Sequence, residues 1–171
     1  NSNKKTHQDR HPAEAEATAI QKVIGWAIDH PELHFHITHV SSALSIKLLK
    51  LVSSPNLTSD TCMRYLLLDN ESKLSEAYKK VNPPLRTPMD RKELVDAFTI
   101  GIIDMISSDH SPHTRKEKEE QKLSGMPGVQ EILPGLITLI HTKQLEWERA
   151  IEAYHTLPSK LLNIENNRVK N

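Results

Sequence analysis

The sequence predicts an α/β domain built on a parallel sheet. Three observations carry that expectation. Several segments space their apolar residues at helical intervals. Between them lie short runs that alternate or are wholly apolar, as strands do. The two kinds follow one another as helix, strand, helix, strand or loop, helix, strand, helix, helix, and such alternation joins strands through crossovers that keep them parallel.

Each element can be justified in turn. "HPAEAEATAIQKVIGWAIDH" reads as a helix: Pro12 suits its first turn, Ala17, Ile20, Val23, Ile24 and Ile28 form its apolar face, and Pro31 follows its end. "LHFHITHV", residues 33–40, alternates apolar residues with His or Thr, the period of a strand. "SSALSIKLLKLV" opens on serines able to cap a helix and supplies Ile46, Leu48, Leu49 and Val52 to its buried side. "SSPNLTSD" reads as a loop or strand approach, and "CMRYLLLD" as a strand-like apolar run. The proline pair in "VNPPLR" interrupts regular structure. Asp90 with Glu93 three residues on has the pattern of a capping box for a helix reaching Phe98. "GIIDMISSD" is the next strand, "HTRKEKEEQKLSGMPG" a charged loop, and "VQEILPGLITLIHTK" and "EWERAIEAYHTLPSKLLNI" the closing helices, with Pro134 near the start of the first.

Composition narrows the function classes. The 171 residues hold 22 Lys plus Arg against 22 Asp plus Glu, a balance that argues against a nucleic-acid partner or a polybasic membrane anchor. No apolar run approaches the ~20 residues of a membrane span, and the start "NSNKKTHQDR" has no apolar signal core. The single cysteine, Cys62, cannot form an internal disulfide and fits a reducing compartment. A soluble, intracellular protein is the expectation.

The chemistry-bearing residues gather where apolar runs stop. "HITHVSS" ends a strand at His39, and "IIDMISSDH" ends one at Asp109. In parallel α/β barrels the C-terminal strand ends carry function, and imidazole and carboxylate both suit zinc or another first-row divalent ion. The plainer reading of each is a hydrogen-bonded rim residue. His34 and His36 share the strand of His39 and read as structural. His113, beyond a Ser-Pro turn, could bind an anionic substrate group, whereas His110 supports the turn. The prolines of "VNPPLR" hold neighbouring amides rigidly, a platform for a planar amide ring. The run "RKEKEE" reads as a solvated loop or short helix, and "SGMPGV" has the glycine freedom of a mobile loop or a close approach to ligand.

Taken together, "RHPAEAEATAI", "HITHVSS", "DTCMRYLLL", "YKKVNPPLRTPMDRKEL", "IDMISSDHSPHTRKEKE" and "GMPGVQEILPGLI" resemble, in order, segments of the dihydroorotases, cyclic amidohydrolases of the amidohydrolase superfamily. The resemblance implies a partial (β/α)8 barrel of the TIM type, roughly strands six to eight with flanking helices. It also implies a binuclear zinc site and reversible hydrolysis of L-dihydroorotate to N-carbamoyl-L-aspartate in pyrimidine synthesis. It makes His39 a metal ligand, Asp109 a metal ligand and general acid/base, and Asn82, His113 and Gly128 substrate-binding residues. Arg86 is assigned a structural role.

The sequence departs from the family pattern at Asp60, where Glu is usual, and at Met63-Arg64, where Pro-His is usual. No ligand role is assigned to Asp60 or Arg64. The strand-one histidines, bridging lysine and strand-five histidine of the family have no counterpart, so residues 1–171 are expected to be the back half of a barrel, without its front half or β-sandwich segment. The isolated chain is then expected to bind no zinc pair and to be inactive, and an exposed sheet edge would favour a homo-oligomer. Two rival readings are a sister activity, allantoinase or dihydropyrimidinase, and a non-catalytic homologue that serves as a scaffold.

Overall fold

The computed structural model describes residues 6–52 and 54–164; the extreme polar start and the final residues of "PSKLLNIENNRVKN" lie outside them. Three parallel strands form the sheet, in the order β1 (Phe35–Ile37), β2 (Leu57–Cys62), β3 (Met105–Ser107). His36 pairs with Thr58 in β1–β2, and Cys62 with Ser107 in β2–β3. The α/β class and the parallel sheet are as the alternation predicts.

The helices are α1 (His7–Arg10), α2 (Ala13–Asp29), α3 (Ala43–Lys50), α4 (Met63–Leu67), α5 (Glu76–Lys79), α6 (Pro88–Thr99), α7 (Ile132–His141), α8 (Trp147–Ile151) and α9 (Leu157–Leu161). A π turn, Glu152–Thr156, joins α8 to α9. Helix α2 packs on α3, α3 on α6, and α4 on both α6 and α7. Phe98, Ile46, Met63, Leu66, Leu94, Ile103, Val40 and Val81 are fully buried between them. Each such side chain contributes roughly 1.5–3 kcal/mol by leaving water.

Four local expectations are corrected. "CMRYLLLD" is not a strand: β2 is the preceding "LTSDTC", and Met63–Leu67 is helical. Its apolar residues are consecutive because Met63 through Leu66 are all buried and only Leu67 is exposed, which removes the periodicity that distinguishes helix from strand. The cap of α6 is Thr87, whose hydroxyl accepts from the Asp90 backbone N–H while the Asp90 carboxylate accepts from the Thr87 N–H; Asp90 is the third residue of the box, and Pro88 sits in the first turn. Helix α2 begins after Pro12, and it buries Ala27 while Ile28 points outward. The run "RKEKEE" contains a π turn, Glu117–Gln121, and Lys118 within it is buried.

Beside the sheet, Glu16 of α2 accepts hydrogen bonds from the Ser41 and Ser42 N–H groups (3.0 and 3.1 Å) and from the Ser45 hydroxyl (2.7 Å). Arg86 closes this node: Nη2 donates to Glu16 Oε2 (3.1 Å), Nη1 to the His11 carbonyl (2.7 Å) and Nε to Ser41 Oγ (3.1 Å). The structural role expected of Arg86 fits these contacts. It anchors the Asn-Pro-Pro segment to α2 and to the segment leading into α3.

Candidate active site at the strand ends

The C-terminal ends of the three strands bring polar residues together. Asp60, near the end of β2, lies between the other two strands and is buried. Its carboxylate accepts from His36 Nε2 (2.9 Å), Thr38 Oγ1 (3.0 Å), the His39 backbone N–H (2.8 Å) and Ser107 Oγ (2.7 Å). Burial pushes this carboxyl up; the donors from His36, His39 and Ser107 outweigh that and hold it below the ordinary value near 3.8. Asp60 therefore couples the ends of β1 and β3 as an ionised acceptor.

Past the strand ends the backbone takes the left-handed conformation twice, at His39 (φ 46°) and at Asp109 (φ 39°). Outside glycine this region is costly, and non-glycine residues held there cluster at functional sites. The His39 turn follows from its N–H being drawn onto Asp60. The Asp109 turn is fixed by Arg64 of α4, which is 1% exposed at its side chain. Arg64 Nη1 donates to Asp109 Oδ2 (2.9 Å), and Nη2 donates to the carbonyls of Ser108 (2.9 Å) and Asp109 (2.6 Å). The Asp109 side chain nevertheless stays 31% exposed.

The remaining expected site residues fall around this edge. Asn82, joined to Pro83 by a cis peptide, is exposed, and it lines a cavity of about 350 Å³ together with His39, Thr38, Arg10, Glu16 and Arg86. The structure thus brings His39 and Asn82 to one cavity. His113 is half-buried, and its Nε2 meets the Ser124 carbonyl at 2.9 Å. Gly128 packs against the Ser108 carbonyl so closely that a Cβ there would collide with it. The Gly128 N–H is taken by His110 Nδ1 (3.1 Å), the turn-supporting part expected of His110. Gly128 therefore supports Ser108 and Asp109 from beneath, and its N–H is already spent on His110.

Three participants were not picked out from the sequence. His36 reads as structural, and its bond to Asp60 is a contact of that kind, though the sequence does not name its partner. Asp60 and Arg64 stand in the sequence as departures from a pattern; an isolated acid inside a buried strand and an arginine inside an apolar run are the signals it offers. No helix of the described residues is long and apolar enough to cross a membrane.

Comparison with known proteins adds a second line of observation. No family model matches the chain. The dihydroorotase of Caldicellulosiruptor saccharolyticus is 35% identical over 166 residues, covering 93% of this chain and 38% of that protein. The dihydroorotase of Aquifex aeolicus is 32% identical over 137 residues, covering 77% and 32%. The chain spans well under half the length of these curated relatives. Among solved structures, the L-hydantoinase (dihydropyrimidinase) of Arthrobacter aurescens superposes with a TM-score of 0.87 at 24% identity, over 97% of this chain and 40% of that one. The dihydroorotase of Campylobacter jejuni superposes with a TM-score of 0.73 at 18% identity, over 90% and 45%. At these identities the structural likeness speaks for the fold alone.

Proposed function

This chain is a relative of the dihydroorotases over most of its length, and from that premise we propose that it supplies strands six to eight of a (β/α)8 barrel in a dihydroorotase. The enzyme would reversibly hydrolyse the cyclic amide of L-dihydroorotate to N-carbamoyl-L-aspartate in the cytoplasm. The observation that carries the reading is that His39 and Asp109 each follow a different strand at the C-terminal end of the parallel sheet, with the Asp60 carboxylate of the middle strand bonded to the His39 N–H and to Ser107. Barrel enzymes place their reacting groups at that edge.

The resemblance implies a pair of zinc ions, with His39 and Asp109 as the donors offered by this chain. Among the described residues no three His, Cys, Asp or Glu side chains converge as a metal site. Asp109 Oδ2 is also already paired with an internal cation, Arg64. By themselves the described residues do not fit a metal ion, and the roles below run through none.

Opening a cyclic amide needs a base for the attacking water and an acid for the departing nitrogen. Asp109 can serve as both in succession, accepting the proton from water and returning it to nitrogen. Arg64 holds one carboxylate oxygen, so the plane of the group is set before substrate arrives. Asn82 lines the cavity, and its carboxamide would hold the ring amide by a hydrogen bond. Because His113 Nε2 faces the Ser124 carbonyl and donates to it, the ring presents a second N–H to an anionic substrate only as the imidazolium.

The test is turnover by the complete protein. Dihydroorotate hydrolysis that falls by about a hundredfold or more in Asp109→Asn supports the reading. Faster turnover of allantoin or dihydrouracil than of dihydroorotate would transfer the site to a sister activity. The second reading, a non-catalytic homologue acting as a scaffold, is favoured by one observation: a buried arginine occupies the position where the family pattern has histidine and pairs with the expected base. Absence of turnover on all three substrates would select it.

A further inference from the structure

Lys118 does not behave as its neighbours do. It sits in the run "RKEKEE", yet only 3% of it is exposed. Its ammonium has three N–H donors, and Nζ donates to three carbonyl oxygens: Lys80 (3.1 Å), Leu123 (3.0 Å) and Gly125 (2.8 Å). No carboxylate is among them. A charge taken from water needs such compensation, and here backbone dipoles provide it. Burial, with Lys80 and Arg64 nearby, pushes the ammonium below its ordinary value near 10.5.

The three carbonyls belong to two segments. Lys80 directly precedes Val81 and Asn82. Leu123 and Gly125 flank Ser124, whose carbonyl holds His113. Two backbone bonds run alongside: Gly125 N–H donates to the Lys80 carbonyl (3.0 Å), and Ser111 N–H to the Met126 carbonyl (3.1 Å). Gly125 has φ +140°, and a side chain there would meet Ser111 and His113. The ammonium, together with the Gly125–Lys80 backbone bond, thus sets the spacing between the segment that presents Asn82 and the segment that presents His113.

We propose that Lys118 is a positioning residue that sets the Asn82 and His113 segments against each other, and so governs how tightly the cyclic amide is held rather than how fast it is cleaved. The inference rests on the reading of Asn82 and His113 as substrate-binding groups. The decisive experiment compares steady-state kinetics of wild type and Lys118→Met in the complete protein with dihydroorotate. Lys118→Met keeps the apolar stem and removes the donors. KM should rise between about tenfold and a hundredfold while kcat changes far less. In Lys118→Ala, added propylammonium should restore KM toward wild type. Equal falls in kcat with KM unchanged, or no response to the amine, would overturn the proposal. Should Lys118→Met fail to fold, Lys118→Gln, neutral and with fewer donors, takes its place, with KM rising in the same direction by less and kcat again little changed. If wild type turns over no dihydroorotate, the functional reading fails separately, and amide hydrogen exchange then decides on Lys118. Faster exchange at Ser111 and Gly125, with α6 unchanged, would support the tether, and unchanged exchange at both would sink it.

Discussion

Two carboxylate–arginine pairs in this chain are built from the same groups and differ in what is left over. Glu16 and Arg86 are both nearly closed from solvent, at 12% and 8% side-chain exposure. The Glu16 oxygens are occupied by two backbone N–H groups, three serine hydroxyls and the guanidinium. Arg64 is as buried as Arg86, but its partner Asp109 keeps 31% of its side chain in contact with solvent. A carboxylate surrounded by internal donors holds elements together. A carboxylate gripped on one side and open on the other is positioned and remains able to react. The difference lies in the neighbours, three serine hydroxyls in one case and solvent on one side of the carboxylate in the other.

The comparison can be broken most directly at the closed pair. Glu16→Ala strands a buried guanidinium and several donors, and should cost about 3–5 kcal/mol by urea unfolding; a loss below about 1 kcal/mol would mean that the node is not closed. At the open pair the expected order is reversed. Asp109→Asn leaves Arg64 its two carbonyl acceptors and should cost only about 1–2 kcal/mol of stability, while turnover falls by about a hundredfold or more as proposed.

Acid sharpens the contrast. Burial raises the Glu16 carboxyl, but the Ser41 and Ser45 donors and Arg86 outweigh it and hold the group below its ordinary value near 4.5. A lowered native pKa gives stability that is fully present above the unfolded value and is lost as pH falls through the native one. The free energy of unfolding should therefore fall as pH goes below about 4.5, and Glu16→Gln should flatten that slope. The smallest effect marks where the open edge stops. Cys62, hydrogen-bonded to Ser107, is fully buried, and burial pushes its thiol up to about 12. Native protein at neutral pH should resist thiol alkylation, and rapid labelling would mean that solvent reaches past Asp109 into the sheet.

The parts of this architecture that were legible in the sequence share one property: a local pattern reports them. Alternation in "LHFHITHV" marks β1, the stop after Ile106 marks the end of β3, and helical spacing from Ala17 to Ile24 marks α2. What escaped depends on contacts far apart in the chain. Met63–Leu67 reads as a strand because tertiary packing buries four consecutive residues of a short helix, Met63 to Leu66. Lys118 looked solvated because three carbonyls, one of them 38 residues away, are what remove it from water. Glu16 carries no local mark at all; its partners come from residues 41–45 and 86. His39 and Asp109 were legible as strand-end residues, whereas the Asp60 and Arg64 that set their backbones were not.

The left-handed turns at His39 and Asp109 have a consequence for stability. Holding a non-glycine residue there costs on the order of 1 kcal/mol, so His39→Gly would relieve the backbone while erasing an imidazole. At both positions ease of folding and possession of a strand-end side chain therefore pull in opposite directions.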